Sequence, residues 1–92
     1  MSDNTARELE SETKKWLEKL KKMEPELAEL LKYAKEKTVR AALQNMQAYI
    51  DDCQHFLDKK DFIRAFEAVI YAWGIWDTLR KCNLVGIHGD KP

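Results

Sequence analysis

Hydrophobic residues recur along this chain with the three- and four-residue spacing of amphipathic helices, in three successive stretches. The last stretch, from Asp61 to Asn83, has the widest apolar arc, about half of a helical wheel at roughly 100° per residue. A helix this apolar needs cover from more than one side, so the pattern predicts the central element of a helical bundle. The arc comprises Phe62, Ala65, Phe66, Val69, Ile70, Ala72, Trp73, Trp76 and Leu79.

The first stretch predicts a helix over about residues 5–23, after a polar cap at Asp3, Asn4 or Thr5. Its apolar positions form a narrow seam, and the other positions are mostly Glu and Lys. Pro25 disfavours helical backbone in the residue before it and suits the first turn of a new helix. We therefore expect one helix to end and the next to begin at this proline.

The second stretch predicts a helix over about residues 26–59. Successive four-residue steps from Ala34 to Met46 shift the apolar seam, and residues 35–40 are the least apolar part. Either the helix bends or breaks there, or its early turns project beyond the neighbouring helices and pack on another body. Because no Gly or Pro interrupts the stretch, the sequence favours one long helix.

Short links between these helices predict an all-α fold, an up-down-up three-helix bundle with helices over about 5–23, 26–59 and 61–83. Residues 1–84 would form this single domain and residues 85–92, with two glycines and a proline, a flexible C-terminal tail. The first and third helices would run parallel, which brings Trp16 level with Trp73 and Trp76.

Charge and composition narrow the possible partners. The 16 Lys and Arg residues balance 16 Asp and Glu residues, and no basic stripe is present, which argues against a nucleic-acid partner. No apolar run approaches the roughly 20 residues that span a membrane, and the N-terminus does not resemble a signal peptide. Cys53 and Cys82 lie too far apart in a helical hairpin for a disulfide, so we expect two free, partly buried thiols in a cytoplasmic protein.

Motifs for catalysis or metal binding are not apparent. His55 and His88 have no Cys, His or carboxylate neighbours at metal-ligand spacing. Phosphate-binding loops, nucleophile elbows and zinc-protease helices also have no counterpart in the chain. The sequence therefore predicts no catalytic residue, no cofactor and no metal site.

Two patterns in the second half resemble the short archaeal proteins catalogued as domain of unknown function 357. The resemblance implies a small three-helix, spectrin-repeat-like bundle and carries no established activity. Lys60 stands where the turn glycine is usual, and Trp73 where a histidine is common. The patterns are Phe56-Leu57-x-Lys59-x-Asp61-Phe62-x-x-Ala65-Phe66 and Tyr71-Ala72-x-Gly74-x-x-Asp77.

A second apolar strip on the third helix is the leading candidate for function. Tyr71, Ile75 and Cys82 lie away from the core arc and form this strip together with Ala68, and contiguous exposed apolar area usually marks an interface. Gly74 weakens the helix and predicts close approach of another helix, from this chain or from a second copy. With Leu27 and Leu31 of the second helix, these residues predict a non-enzymatic interaction module that forms a homodimer or binds a protein partner. The alternative is that the long second helix or the tail covers the strip.

A competing hypothesis concerns Asp77, which falls inside the apolar arc of the helical wheel. A carboxylate there must be paired, either with an indole N–H or with a Lys or Arg near the end of the bundle. The functional interpretation is an aromatic pocket between the helices, lined by Trp16, Trp73, Trp76 and Asp77. Such a pocket would bind a small, nucleotide-like molecule or support a weak enzyme activity.

Overall fold

Four α-helices, rather than the predicted three, form the protein in the computed structural model, which describes residues 3–82 and Leu84. The fold class is all-α as predicted, and the described residues contain no β-strand. None of the described helices combines the length and the apolar character that crossing a membrane requires. The helices are α1 (Asp3–Lys22), α2 (Glu24–Tyr33), α3 (Lys37–Asp58) and α4 (Phe62–Lys81).

The junction between α1 and α2 is a single residue, Met23. Pro25 lies in the first turn of α2, as predicted, where its missing N–H leaves no bond unmade. Met23 keeps a right-handed backbone, with φ −90° and ψ −6°. Its N–H donates to Leu20 O at 2.9 Å, and its carbonyl accepts from Leu27 N at 2.9 Å. The proline therefore interrupts the helix without reversing the chain.

Both α1 and α2 run antiparallel to α3. Lys21 Nζ donates to Gln54 Oε1 at 2.6 Å, and Gln47 Nε2 donates to Glu24 Oε2 at 2.9 Å. Partner numbers on α3 thus fall as the numbers on α1 and α2 rise. At about 1.5 Å per residue, residues 3–33 in line would span roughly 45 Å, close to the longest dimension of the molecule, 46 Å.

The chain reverses between α2 and α3, so the favoured prediction of one continuous helix over residues 26–59 is wrong and the alternative, a break near residues 35–40, is correct. Ala34 and Glu36 have extended backbones, with ψ of 122° and 128°. The Glu36 carboxylate accepts a hydrogen bond from Val39 N at 2.8 Å and so caps α3, while the Arg40 guanidinium donates to Ala34 O. These side chains satisfy backbone groups that a helix end leaves open, so the break needs neither Gly nor Pro.

The turn between α3 and α4 lies where the sequence predicts it. Lys60 adopts a left-handed backbone with φ 61°. Its N–H donates to Leu57 O at 3.0 Å, and Asp61 N donates to Phe56 O at 2.8 Å, which is the Schellman pattern of helix ends. The Asp61 carboxylate then caps α4 by accepting from Arg64 N at 3.3 Å.

The core lies between α4 and the other helices, with α3 and α4 forming the most extensive contact. Thr13 is fully buried in it, and its hydroxyl donates to Leu9 O at 2.7 Å, so the polar atom is satisfied. The largest fully buried apolar side chains are Leu20, Leu27, Leu43, Met46, Ile50, Val69 and Cys53.

Beyond α4, Leu84 N donates to Leu79 O at 2.9 Å, so Leu84 is held against the last turn of the helix. The predicted flexible tail, residues 85–92, lies outside the described residues, as do Met1, Ser2 and Asn83. The predicted domain boundary at residue 84 therefore stays a prediction.

Candidate protein-interaction surface

Helix α4 has two faces of different character. The inner face packs against α1 and α3, and its small alanines allow α3 to approach closely. It comprises Ala65, Ala68, Val69, Ala72, Trp76 and Leu79, all buried. All of these residues except Ala68 belong to the predicted apolar arc. Ala68 is only 5% exposed, so its predicted place in the second apolar strip is wrong.

The opposite side, called here the outer face of α4, is open to solvent. Ile63 is 54% exposed, Ile70 46% and Tyr71 57%, so three large apolar side chains lie on one side of one helix. The prediction that Ile70 belongs to the core arc is therefore wrong. The outer face comprises Ile63, Glu67, Ile70, Tyr71, Gly74, Thr78 and Lys81, each of them exposed.

Gly74 lies at the centre of the outer face. A Cβ atom added there would meet nothing within 4 Å, so no part of the described chain approaches this glycine closely. The prediction that Gly74 admits a second helix of the same chain is wrong. Its alternative, the close approach of a second copy, stays a prediction.

A shallow apolar depression of about 530 Å³ borders the outer face. The Tyr71 ring forms one wall and packs on the Tyr49 ring of α3, with 5.3 Å between centroids. Ile75 is half-buried beside it. The depression is lined by Ala42, Ile70, Tyr71, Gly74, Ile75, Thr78 and Leu79, so it joins the outer face to the edge of α3.

The two leucines predicted to extend this surface do not do so equally. Leu27 is only 2% exposed and belongs to the core, so its place in the predicted interface is wrong. Leu31 is half-buried against the same core. The reason is the reversal at residues 34–36, which lays α2 along α3 instead of letting its early turns project.

The predicted aromatic pocket takes a different form. The rings of Trp16 and Trp73 pack edge to face, with centroids 5.7 Å apart, and Trp73 Nε1 donates to Trp16 O at 3.3 Å. Trp76 is buried, with 6% of its surface exposed. The indoles of Trp16 and Trp73 come together as predicted. Helices α1 and α4 each run antiparallel to α3, so they are parallel to each other, also as predicted. The rings of Trp16 and Trp73 pack against each other and occupy the space between α1 and α4 where the pocket was predicted.

Asp77 does not join them in an apolar site. Its side chain is 47% exposed and accepts a hydrogen bond from the Arg80 guanidinium at 3.1 Å. The prediction of a carboxylate inside the apolar arc is wrong. Asp77 lies at the edge of the arc, where its short side chain reaches solvent. Its predicted pairing with a basic residue is observed.

A second groove, about 390 Å³ in volume, lies at the reversal between α2 and α3 and was not predicted. Tyr33 at its rim is 64% exposed. The shifted apolar seam at residues 34–46 is the sequence signal of this reversal. The groove is lined by Leu30, Tyr33, Ala34, Lys35, Glu36, Val39, Leu43 and Leu84.

The two thiols are free, as predicted, but differ in exposure. Cys53 is fully buried, and this burial raises the pKa of its thiol to about 11, while the positive charge of Lys21 opposes the rise. Cys82 is exposed. Among the described residues, no three His, Cys, Asp or Glu side chains converge as a metal site would need.

Comparison with known proteins agrees with the motifs of the α3–α4 hairpin. The family model described as "Protein of unknown function (DUF357)" matches residues 10–85. The crystal structure of protein AF1782 from Archaeoglobus fulgidus, of the same family, is similar with 30% sequence identity and a TM-score of 0.70. The match covers 89% of this chain and 96% of that one. No curated protein matches the chain. The chain therefore belongs to the DUF357 family, whose function is unknown.

Proposed function

We propose that this protein is a non-enzymatic interaction module that binds a protein partner, or a second copy of itself, through the outer face of α4. The observation that carries the proposal is the apolar cluster of Ile70 and Tyr71, each about half exposed and both lining the apolar depression. Ile63, also about half exposed, lies two turns earlier on the same side of α4. Single exposed apolar side chains are ordinary, whereas contiguous ones mark contact surfaces.

The position of Tyr71 favours binding. Its ring rests on Tyr49, so part of its conformational freedom is already lost in the free protein. An anchor that is ordered before binding costs less entropy when the complex forms. Tyrosine is also among the residues that contribute most to protein–protein binding energy.

The polar residues around the cluster suit the rim of such an interface. Glu67 and Lys81 are exposed on either side of the segment from Ile70 to Thr78 on the outer face, and Asp77 and Arg80 pair at its side. Interfaces typically combine an apolar centre with a charged, solvent-accessible rim. We further propose a cytoplasmic role, which the two free thiols support, because reducing compartments keep cysteines unpaired.

Affinity capture from an extract of the native host tests this proposal. The bait proteins are the wild-type chain, Ile70→Glu on the outer face, and Tyr33→Glu as the control, because Tyr33 is an exposed apolar residue on another helix, α2, and is even more exposed than Ile70. Circular dichroism first confirms that all three are folded. We expect proteins that bind the wild type and Tyr33→Glu but are lost with Ile70→Glu. Identical capture by all three baits would contradict the proposal.

A further inference from the structure

We propose that the outer face of α4 binds the same face of a second copy, with the two α4 helices antiparallel and crossing at Gly74. This inference rests on the proposed function and specifies both the partner and the geometry. Three observations carry it: the charges of Glu67 and Lys81 on the outer face, the residues between them, and the open space at Gly74.

The charges are placed symmetrically about the glycine. In a two-fold antiparallel pair, a residue n positions before the crossing faces the residue n positions after it on the partner. Glu67 lies seven residues before Gly74 and Lys81 seven residues after it. Seven residues are about two helical turns, so all three lie on one side of α4. The dimer would therefore contain two Glu67–Lys81 pairs between the copies.

Neither charge has an ion-pair partner within the described part of the monomer, so both are available to the second copy. A parallel pair would instead place Glu67 against Glu67 and Lys81 against Lys81. Like charges facing each other are destabilising, and the direction of a helix pair is commonly set in this way. The charges thus favour the antiparallel arrangement.

The residues between the charges are also compatible. Ile70, four positions before Gly74, faces Thr78, four positions after it, and an isoleucine packs well on the threonine methyl group. Tyr71 lies beside Ile70 at the edge of the contact, where its ring packs on Tyr49. The proposed contact therefore places apolar groups against each other between the two charged pairs.

Gly74 itself suits the crossing point. Glycine weakens a helix relative to alanine, and the described chain offers no contact that explains its presence here. Without a Cβ atom, two helices approach closely enough for their flanking side chains to interlock. A second copy of α4 gives the glycine the structural role that the monomer lacks.

Cross-linking tests the geometry. In a Cys82→Ser background, which removes the exposed native thiol, Gly74→Cys weakens the dimer as any side chain at the crossing should, but it places the two new thiols beside each other in the fraction that associates at high concentration. A short bismaleimide should then convert most of the dimeric fraction to a covalent dimer. In the matched control, Ile63→Cys, the two thiols would lie 11 residues on either side of the crossing, about 33 Å apart at 1.5 Å per residue, and should not cross-link. Cross-linking at both positions would indicate a parallel pair and overturn the inference.

Charge reversal provides a test that leaves Gly74 intact. Glu67→Lys or Lys81→Glu alone sets like charges against each other twice in the dimer and should weaken it, roughly fivefold at low salt. The double variant restores opposite charges and should restore the wild-type dimerisation constant. Failure of this rescue would overturn the antiparallel pairing.

The two proposals fail in different ways. If the wild type stays monomeric while Ile70→Glu still abolishes capture of other host proteins, the second-copy inference is overturned and the proposed function stands. If Ile70→Glu changes neither capture nor self-association, both are overturned.

Discussion

The inner and outer faces of α4 are built from the same twenty residues and treat apolar side chains in opposite ways. On the inner face, Val69 and Ala72 are fully buried. On the outer face, Ile70 and Tyr71 are about half exposed, although they are the immediate neighbours of those buried residues. Burial of the inner face stabilises the monomer, whereas the outer face offers apolar area that the monomer does not use. The difference between the faces shows that the monomer leaves part of the apolar surface of α4 uncovered, and the proposed contact rests on this surface.

The largest expected difference between the faces is in stability. Trp76→Ala removes a buried indole from the inner face and should lower the free energy of unfolding by about 3–5 kcal/mol. Tyr71→Ala on the outer face should change it far less, by about 1 kcal/mol or below, because the ring is 57% exposed and loses chiefly its contact with Tyr49. Urea unfolding of the dilute, monomeric proteins measures both. Equal losses would show that the outer face belongs to the core.

The buried thiol of Cys53 on α3 gives a pH-dependent test of how well the core excludes water. The pKa of Cys53 rises from 9.0 to about 11 in the folded protein. The protonated Cys53 thiol therefore contributes fully to the free energy of unfolding below pH 9. This contribution, about 3 kcal/mol at most, is lost as the pH rises to 11, because the unfolded state loses the thiol proton first. Unfolding midpoints across this range should fall more steeply for the wild type than for Cys53→Ala, which shares every other titrating group. Parallel curves would contradict the burial effect.

A matching measurement compares the two thiols directly. With a chromogenic disulfide reagent at pH 8, Cys82 should react within the folded protein, while Cys53 should react only on unfolding, because the thiolate is the nucleophile and burial suppresses it. Rapid reaction of both thiols would show that the core opens under native conditions.

The smallest expected effect is that of Gly74→Ala on the stability of the monomer, and whether this variant is more or less stable decides the role of the glycine. Gly74→Ala should stabilise the monomer by about 1 kcal/mol, since the added methyl group meets nothing and alanine favours the helix. The same change should weaken self-association, because it widens the crossing of the two helices. Thermal unfolding at low concentration and sedimentation velocity at high concentration separate the two effects. A destabilised monomer would show that the glycine has an internal role.

Much of this architecture is predictable from periodicity. The spacing of apolar residues predicts an all-α fold, the α3–α4 turn with its Asp61 cap, and the contact between Trp16 and Trp73. These features depend on local sequence and on one parallel pair of helices, which a helical wheel describes well.

The two links around α2 show where such prediction ends. Pro25 suggests the end of a helix and a change of chain direction. In the structure it lies in the first turn of α2, and the chain continues in almost the same direction. The true reversal depends on Glu36 capping α3 and on Arg40 reaching Ala34 O. The shifted apolar seam marks the place of this break, but glutamate is not among the usual capping residues, so the sequence does not show that a side-chain cap makes the break favourable. The misplacement of Leu27 follows from the same error.

For the outer face, the sequence predicts Tyr71 and Gly74 but assigns Ile70 to the core. A helical wheel orders residues by angle and does not show how much of the arc two neighbouring helices cover. Here α1 and α3 leave Ile70 46% exposed, a result that depends on the packing of the helices.

Sedimentation equilibrium over a concentration series tests the central claim most directly, with the wild type, Ile70→Glu and Tyr33→Glu compared under identical conditions. We predict that the wild type and Tyr33→Glu approach the mass of a dimer as concentration rises, while Ile70→Glu stays at the 10.8 kDa of the monomer. A wild-type protein that remains monomeric throughout, or an Ile70→Glu variant that associates as strongly as the wild type, would contradict the account.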